Sequence, residues 1–235
     1  MDGILIVDKP TGITSYDVIR FLKRKFGVLD RIGHAGTLDP IATGVLIVCL
    51  GKATKVSARL MGMDKEYVAR MACGIVTDTG DSDGKILEQR DGTVNPAIIP
   101  GVLREFVGEI RQVPPVVSAL KHKGAPLYKL YRSGVTVTPE PRTVVVKEIE
   151  LLAADPPEIG LRIVCSRGTY VRALCRDIGE RFGCGGTMTA LQRTRVGPFT
   201  VAAAHAEQEM VSRGLDGLLI PLATVERMIT DWNST

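Results

Sequence analysis

The sequence has no Cys-x-x-Cys pair, only three histidines, and no apolar run of membrane-spanning length. Each absence removes a class of function. His34, His122 and His205 lie far apart, and none stands at metal-ligand spacing from another, which argues against a zinc site. The longest apolar run, Val45 to Leu50, is only strand-sized. Met1-Asp2-Gly3 leads at once into Ile4-Leu5-Ile6-Val7, without the basic start and cleavage site of a secretory signal, so a cytoplasmic location is expected. The cysteines (Cys49, Cys73, Cys165, Cys175, Cys184) are odd in number. All but Cys184 sit in apolar or amphipathic runs, where buried free thiols are expected. There is no internal repeat, low-complexity stretch or recognisable linker.

Acidic residues are missing locally as well. From Gln112 to Pro139 there is no Asp or Glu, while Lys121, Lys123, Lys129 and Arg132 are present. In a chain that is 24% charged, with a formal net charge of +4, so long an exclusion points to a surface that faces phosphates. A second basic group, Arg20, Lys23, Arg24, Lys25 and Arg31, reads equally well as the solvated face of a helix.

The 235 residues, 45% of them hydrophobic, suit one large domain or two small ones with a sizeable core. Gly3 to Val7 reads as a buried strand, followed by a turn at Lys9-Pro10-Thr11-Gly12. A helix capped by Thr14 or Ser15 then carries Val18, Phe21, Leu22 and Phe26 at helical spacing. Strands are expected at Val45 to Leu50, Glu66 to Val76, Thr143 to Leu152, Leu161 to Cys165, Thr187 to Thr194 and Phe199 to Ala203. Short helices are expected near 55–61, 102–107 and 127–133, with an extended stretch from Ile110 to Leu120. The best-marked helix runs from Thr169 to Phe182, with Gly183 in the capping position, and helical pieces close the chain. Strands and helices do not alternate regularly. That favours an α+β fold, a mixed and largely antiparallel sheet with flanking helices.

Two familiar loops fail on inspection. Gly51-Lys52-Ala53-Thr54 lacks the glycine five positions earlier, and the Ser or Thr after the lysine, that a phosphate-binding loop requires. The Asp81-x-Asp83-Gly84 turn would need an acidic residue where Arg90 stands to be a calcium loop. The stretch Gly33-His34-Ala35-Gly36-Thr37-Leu38-Asp39-Pro40-Ile41-Ala42-Thr43-Gly44-Val45-Leu46 is different. It places one carboxylate, Asp39, in a Gly-, Thr- and Pro-rich loop at the mouth of an apolar strand. A scaffold presents a reactive group in that way, although a plain turn has the same composition.

That stretch resembles, residue for residue, the catalytic motif of bacterial pseudouridine synthases of the TruB type. Gly3 to Ser15 is similar to the family's opening motif, Asp64-Lys65-Glu66-Tyr67 to its tyrosine segment, Gly168-Thr169-Tyr170-Val171-Arg172 to its arginine motif, and Leu191 to Phe199 to its late motif. The segment from Pro114-Pro115 through Tyr131-Arg132 resembles its RNA-clamping insertion, at about 114–142 of a catalytic domain covering 1–235. The resemblance implies the pseudouridine synthase fold and isomerisation of uridine 55 in the T loop of tRNA, without a cofactor or metal. It implies a monomer with no obligatory protein partner. Asp39 is then the nucleophile, Arg172 its charged partner, and Tyr67 the residue that stacks on the base and assists removal of the C5 proton. Tyr170 and Leu191 line the pocket, His34 supports the flipped-out nucleotide, and Lys9 joins them as a substrate-binding residue. Lys55, Lys65, Lys121, Lys123, Lys129 and Arg132 are assigned to the RNA backbone. Whether Asp39 attacks the sugar, attacks the base or takes a sugar proton is left open. The family's usual RNA-binding PUA domain is not recognised, so weaker or more salt-sensitive tRNA binding is expected. A non-catalytic RNA-binding protein that kept the pocket is the alternative. A guide-RNA-dependent relative ranks below both.

Overall fold

The computed structural model describes residues 1–28, 31–118, 120–135 and 137–234. The chain forms two compact units, residues 1–67 with 191–235, and residues 68–190. The Lys65–Cys73 and Gly186–Val196 strands each begin in one unit and end in the other.

In the first unit the strand order is Ile220–Pro221, Gly3–Lys9, Thr43–Leu50, then the end of Gly186–Val196. Gly3–Lys9 pairs antiparallel with Thr43–Leu50 along its whole length, Gly3 opposite Leu50 and Lys9 opposite Gly44. Continuous apolar sequence on both strands gives burial on both faces. Gly186–Val196 joins the other edge of Thr43–Leu50 in parallel, with Gln192 opposite Thr43 and Arg193 opposite Gly44. The core beneath gathers Ile4, Ile6, Val45, Ile47, Leu60, Val196 and Phe199 with Val225 and Ile229 from the Leu222–Asn233 helix.

The Ser15–Phe26 helix starts as its sequence predicts. Thr14 accepts from Asp17 N, the Asp17 carboxylate accepts from Thr14 N, and Gly27 ends the helix in the left-handed conformation. The 55–61 region is a 3-10 turn, Gly51–Val56, that runs into a helix over Ser57–Gly62. The expected strand from Phe199 to Ala203 is confined to Phe199–Thr200, because the chain then tightens into a 3-10 turn at Val201–Ala203.

The second unit carries the order Lys65–Cys73, Glu158–Cys165, Arg142–Asp155, Gly108–Gln112. The long Arg142–Asp155 strand pairs antiparallel with both of its neighbours. The expected 66–76 strand breaks at Gly74, whose φ is 83°, and resumes as Ile75–Thr77 in a hairpin with Ile86–Gln89. The extended stretch from Ile110 to Leu120 is a strand only as far as Gln112, and Ala119 within it lies outside the described residues. Next come a small hairpin, Lys121–His122 with Ala125–Pro126, and a helix over Leu127–Arg132. The Val171–Arg181 helix buries Val171, Leu174 and Ile178 on one face, as their spacing predicts.

All five cysteines are free and buried, including Cys184, which its glycine-rich surroundings left unassigned. Among the described residues no helix is long and apolar enough to cross a membrane.

Candidate active site

Asp39 is half-buried in the loop between the Ile32–His34 and Thr43–Leu50 strands. Its carbonyl accepts from Ala42 N at 3.0 Å, closing a tight turn in which Pro40 fixes φ at the first central position. Three polar side chains hold this loop by its backbone. Ser15 Oγ accepts from Leu38 N at 2.8 Å and donates to Leu38 O at 3.1 Å. Lys9, fully buried at the end of its strand, donates from Nζ to Pro10 O at 2.8 Å, Ile13 O at 2.7 Å and Pro40 O at 3.3 Å. Arg193, only 1% exposed, donates from Nε to Val45 O at 2.8 Å and from its terminal nitrogens to Thr37 O at 3.3 Å and Gly36 O at 3.1 Å. A buried carbonyl stripped of its donor costs about 1–3 kcal/mol, so these bonds resist any rearrangement of the loop.

Glycine is required where the loop enters its strand. Gly44 has φ 94°, and a Cβ there would stand 2.3 Å from the Arg193 carbonyl oxygen. This close approach brings the Arg193 strand against the Asp39 loop.

The electrostatics follow from burial. Loss of water pushes the Lys9 ammonium down to about 8; the Asp39 carboxylate opposes that fall, Arg193 reinforces it, and Asp17 opposes it again. The attraction is mutual, so Lys9 favours the ionised form of Asp39. His34 is lowered from its ordinary value by burial and then by Arg193, which keeps its ring neutral at pH 7. Its Nδ1 is buried without a hydrogen-bond partner among the described residues. Tyr67 and Leu191 are also buried in this unit, Leu191 accepting from Thr43 Oγ1 at 3.4 Å.

Two lysines require correction. Lys9, assigned to substrate binding from sequence, is fully buried with its ammonium donating to the Pro10, Ile13 and Pro40 carbonyls, so it holds the loop instead. Lys65 is the second. Assigned to the RNA backbone from sequence, it is 6% exposed, and its ammonium donates to the Met61 and Met63 carbonyls. Side chains alternate along a strand, and Lys65 shares the inward face with Tyr67 and Ala69. Lys55, Lys121, Lys123, Lys129 and Arg132 are exposed.

Arg172 and Tyr170 belong to the second unit, at the start of the Val171–Arg181 helix. Arg172 is no surface arginine. It is 4% exposed, donates to Thr79 O at 2.9 Å and Val117 O at 3.0 Å, and stands 3.3 Å from the buried Asp81 carboxylate. The helix entry is fixed by Gln112, which accepts from Tyr170 N at 2.8 Å and donates to Tyr170 O at 3.0 Å.

Arg193, Ser15, Asp81 and Gln112 were not singled out from sequence. One signal was present for Arg193: period two places it on the same inward face as Leu191. The other three are held by partners tens of residues away, which local pattern does not reveal.

Comparison with known proteins places this arrangement. Residues 23–171 match the N-terminal domain of the TruB family of pseudouridylate synthases, and residues 172–223 match a tRNA pseudouridylate synthase B C-terminal domain. The chain is 49% identical over 231 residues to a tRNA pseudouridine synthase B of Syntrophotalea carbinolica, covering 97% of this chain and 75% of that protein. It is 41% identical to one of Francisella philomiragia, covering 98% of this chain and 77% of that protein. Among solved structures, a chain of a Cbf5-Nop10-Gar1 complex superposes with a TM-score of 0.71 at 34% identity, over 91% of this chain and 54% of that one. An H/ACA ribonucleoprotein bound to a substrate RNA gives 0.68 at 31% identity, over 94% of this chain and 57% of that one. This chain thus spans little more than half of those solved chains. The chain belongs to the TruB family of pseudouridylate synthases.

Proposed function

We propose that this synthase converts uridine 55 in the T loop of tRNA to pseudouridine, with Asp39 as the reacting carboxylate. The observation that carries this reading is the loop itself: Asp39 is presented in a turn bonded by Lys9, Ser15 and Arg193. The isomerisation breaks the C1′–N1 bond, turns the uracil and joins C5 to C1′. The C5 proton leaves and N1 regains one, with no net oxidation. A loop fixed before the substrate arrives loses no entropy on ordering, and the nearby Lys9 favours the ionised form of its carboxylate.

Tyr67 is the stacking residue for the extruded base and assists departure of the C5 proton; Tyr170 and Leu191 are substrate-binding residues. Arg172, whose guanidinium stands 3.3 Å from the Asp81 carboxylate, is the third residue that the family resemblance assigns to the reaction. His34, neutral and with an unpartnered nitrogen, suits contact with a nucleotide better than proton transfer. The uridine must leave its stack at a cost of a few kcal/mol, which aromatic stacking offsets. Lys55, Lys121, Lys123, Lys129 and Arg132 are the exposed cations available to the phosphates of the stem-loop. The enzyme works on tRNA in the cytoplasm as a monomer.

The test is position-specific mapping of pseudouridine in unmodified tRNA treated with the protein. A single pseudouridine at position 55, absent when that uridine is replaced by cytidine, supports the reading. Modification at another site with position 55 untouched overturns the target assignment.

A further inference from the structure

Arg193 is a fully buried cation that no carboxylate approaches within 4 Å among the described residues; its guanidinium meets only the carbonyls of Val45, Thr37 and Gly36. A buried charge is expensive, and proteins normally pair it. Here a second buried cation, Lys9, lies close enough for the two to repel. Lys9 is likewise held by carbonyls, those of Pro10, Ile13 and Pro40. Both sets include carbonyls of the Asp39 loop, Gly36 and Thr37 for Arg193 and Pro40 for Lys9, and Asp39 attracts Lys9.

Packing alone does not account for a guanidinium here, since an apolar side chain of the same length would fill the space without the desolvation. The rigid fork does account for it, because three donors in one plane fix both ends of the loop, Gly36-Thr37 before Asp39 and Val45 after it.

We infer that Arg193 is a positioning residue for the isomerisation, whose three-carbonyl grip holds the Asp39 loop in its reactive geometry. This rests on the reading of Asp39 as the reacting group. Arg193 acts through Asp39 and does not touch substrate. The fork sets the geometry of the loop, and a reacting group displaced by 1 Å loses on the order of 100-fold in rate.

The experiment compares Arg193→Met, Arg193→Lys, Asp39→Asn and the parent on a T-arm stem-loop. It measures kcat, KM and folded fraction from thermal unfolding. Arg193→Met should lower kcat by on the order of 100-fold per folded molecule and leave KM within about threefold. Arg193→Lys, which keeps charge but loses the fork, should lower kcat by an intermediate factor. A purely structural arginine would lower the unfolding temperature while leaving kcat and KM per folded molecule as in the parent, and that result overturns the inference. Should Arg193→Met not fold, Arg193→Lys decides: parent-like kcat contradicts the geometric role. If Asp39→Asn is active, the reading of Asp39 fails; if it is inactive while the Arg193 variants match the parent, only the role of Arg193 fails.

Discussion

Arg172 occupies the first turn of a helix, where the macrodipole disfavours a cation, and it is nevertheless buried. Asp81 compensates for that position at 3.3 Å, with both side chains less than a tenth exposed. Removing one partner of such a pair strands the other charge. Asp81→Ala should therefore cost about 3–5 kcal/mol in urea unfolding, and a loss under 1 kcal/mol would show that water replaces the carboxylate. Lys9 makes a prediction in pH. Its folded value near 8 lies below the ordinary 10.5, so between those values the unfolded chain holds a proton that the folded chain has released. Stability contributed by this residue must then rise with pH. The parent should gain stability relative to Lys9→Met from about pH 8 to 10.5, in denaturation measured at each pH, and a flat difference would contradict the burial argument. At this scale the sequence was only partly legible. Asp39 stands out by its loop chemistry and Arg172 by resemblance. Arg193, Asp81 and Lys65 did not, because a buried charged side chain looks like a surface one until its face of the strand or its distant partner is known.

Among the elements, the Leu127–Arg132 helix and the chain leading to it are tied to the rest of the second unit by specific bonds. Tyr131, on the Leu127–Arg132 helix, donates its hydroxyl to Asp78 in the turn that also carries Thr79 and Asp81. Arg172 grips the chain before that helix at Val117. Tyr131→Phe should therefore speed amide hydrogen exchange across residues 127–132 while lowering global stability by no more than about 1 kcal/mol. Unchanged exchange would mean the helix is held by its apolar side alone. The acid-free segment makes an electrostatic prediction. Replacing Lys121, Lys123, Lys129 and Arg132 by alanine should flatten the dependence of log K on log salt by about 0.7–0.9 for each phosphate those side chains neutralise. An unaltered slope would place the RNA elsewhere. Helices with a cap and a clean apolar face, such as Ser15–Phe26, were readable in full. The strand expected beyond Thr200 was not, since Val and Ala after a strand suit a 3-10 turn equally well.

At the scale of the whole molecule, the mixed α+β class follows from irregular alternation of strand and helix patterns, and the structure has it. The division into units was not legible. The second unit is one continuous segment, 68–190, set between the two segments of the first, and its boundaries fall inside the Lys65–Cys73 and Gly186–Val196 strands. No change of composition marks such a boundary. The family domains divide the chain elsewhere, between residues 171 and 172. Asp39 and Arg172 thus come from different units as well as from distant sequence.

The central claim is that the carboxylate of Asp39 performs the isomerisation. Tritium release from a T-arm stem-loop carrying 5-tritiated uridine tests it most directly, because the C5 proton leaves only if the base is rejoined through that carbon. The parent should release tritium, and Asp39→Asn should bind the same RNA yet release none. Release by Asp39→Asn at a rate near that of the parent would contradict the account.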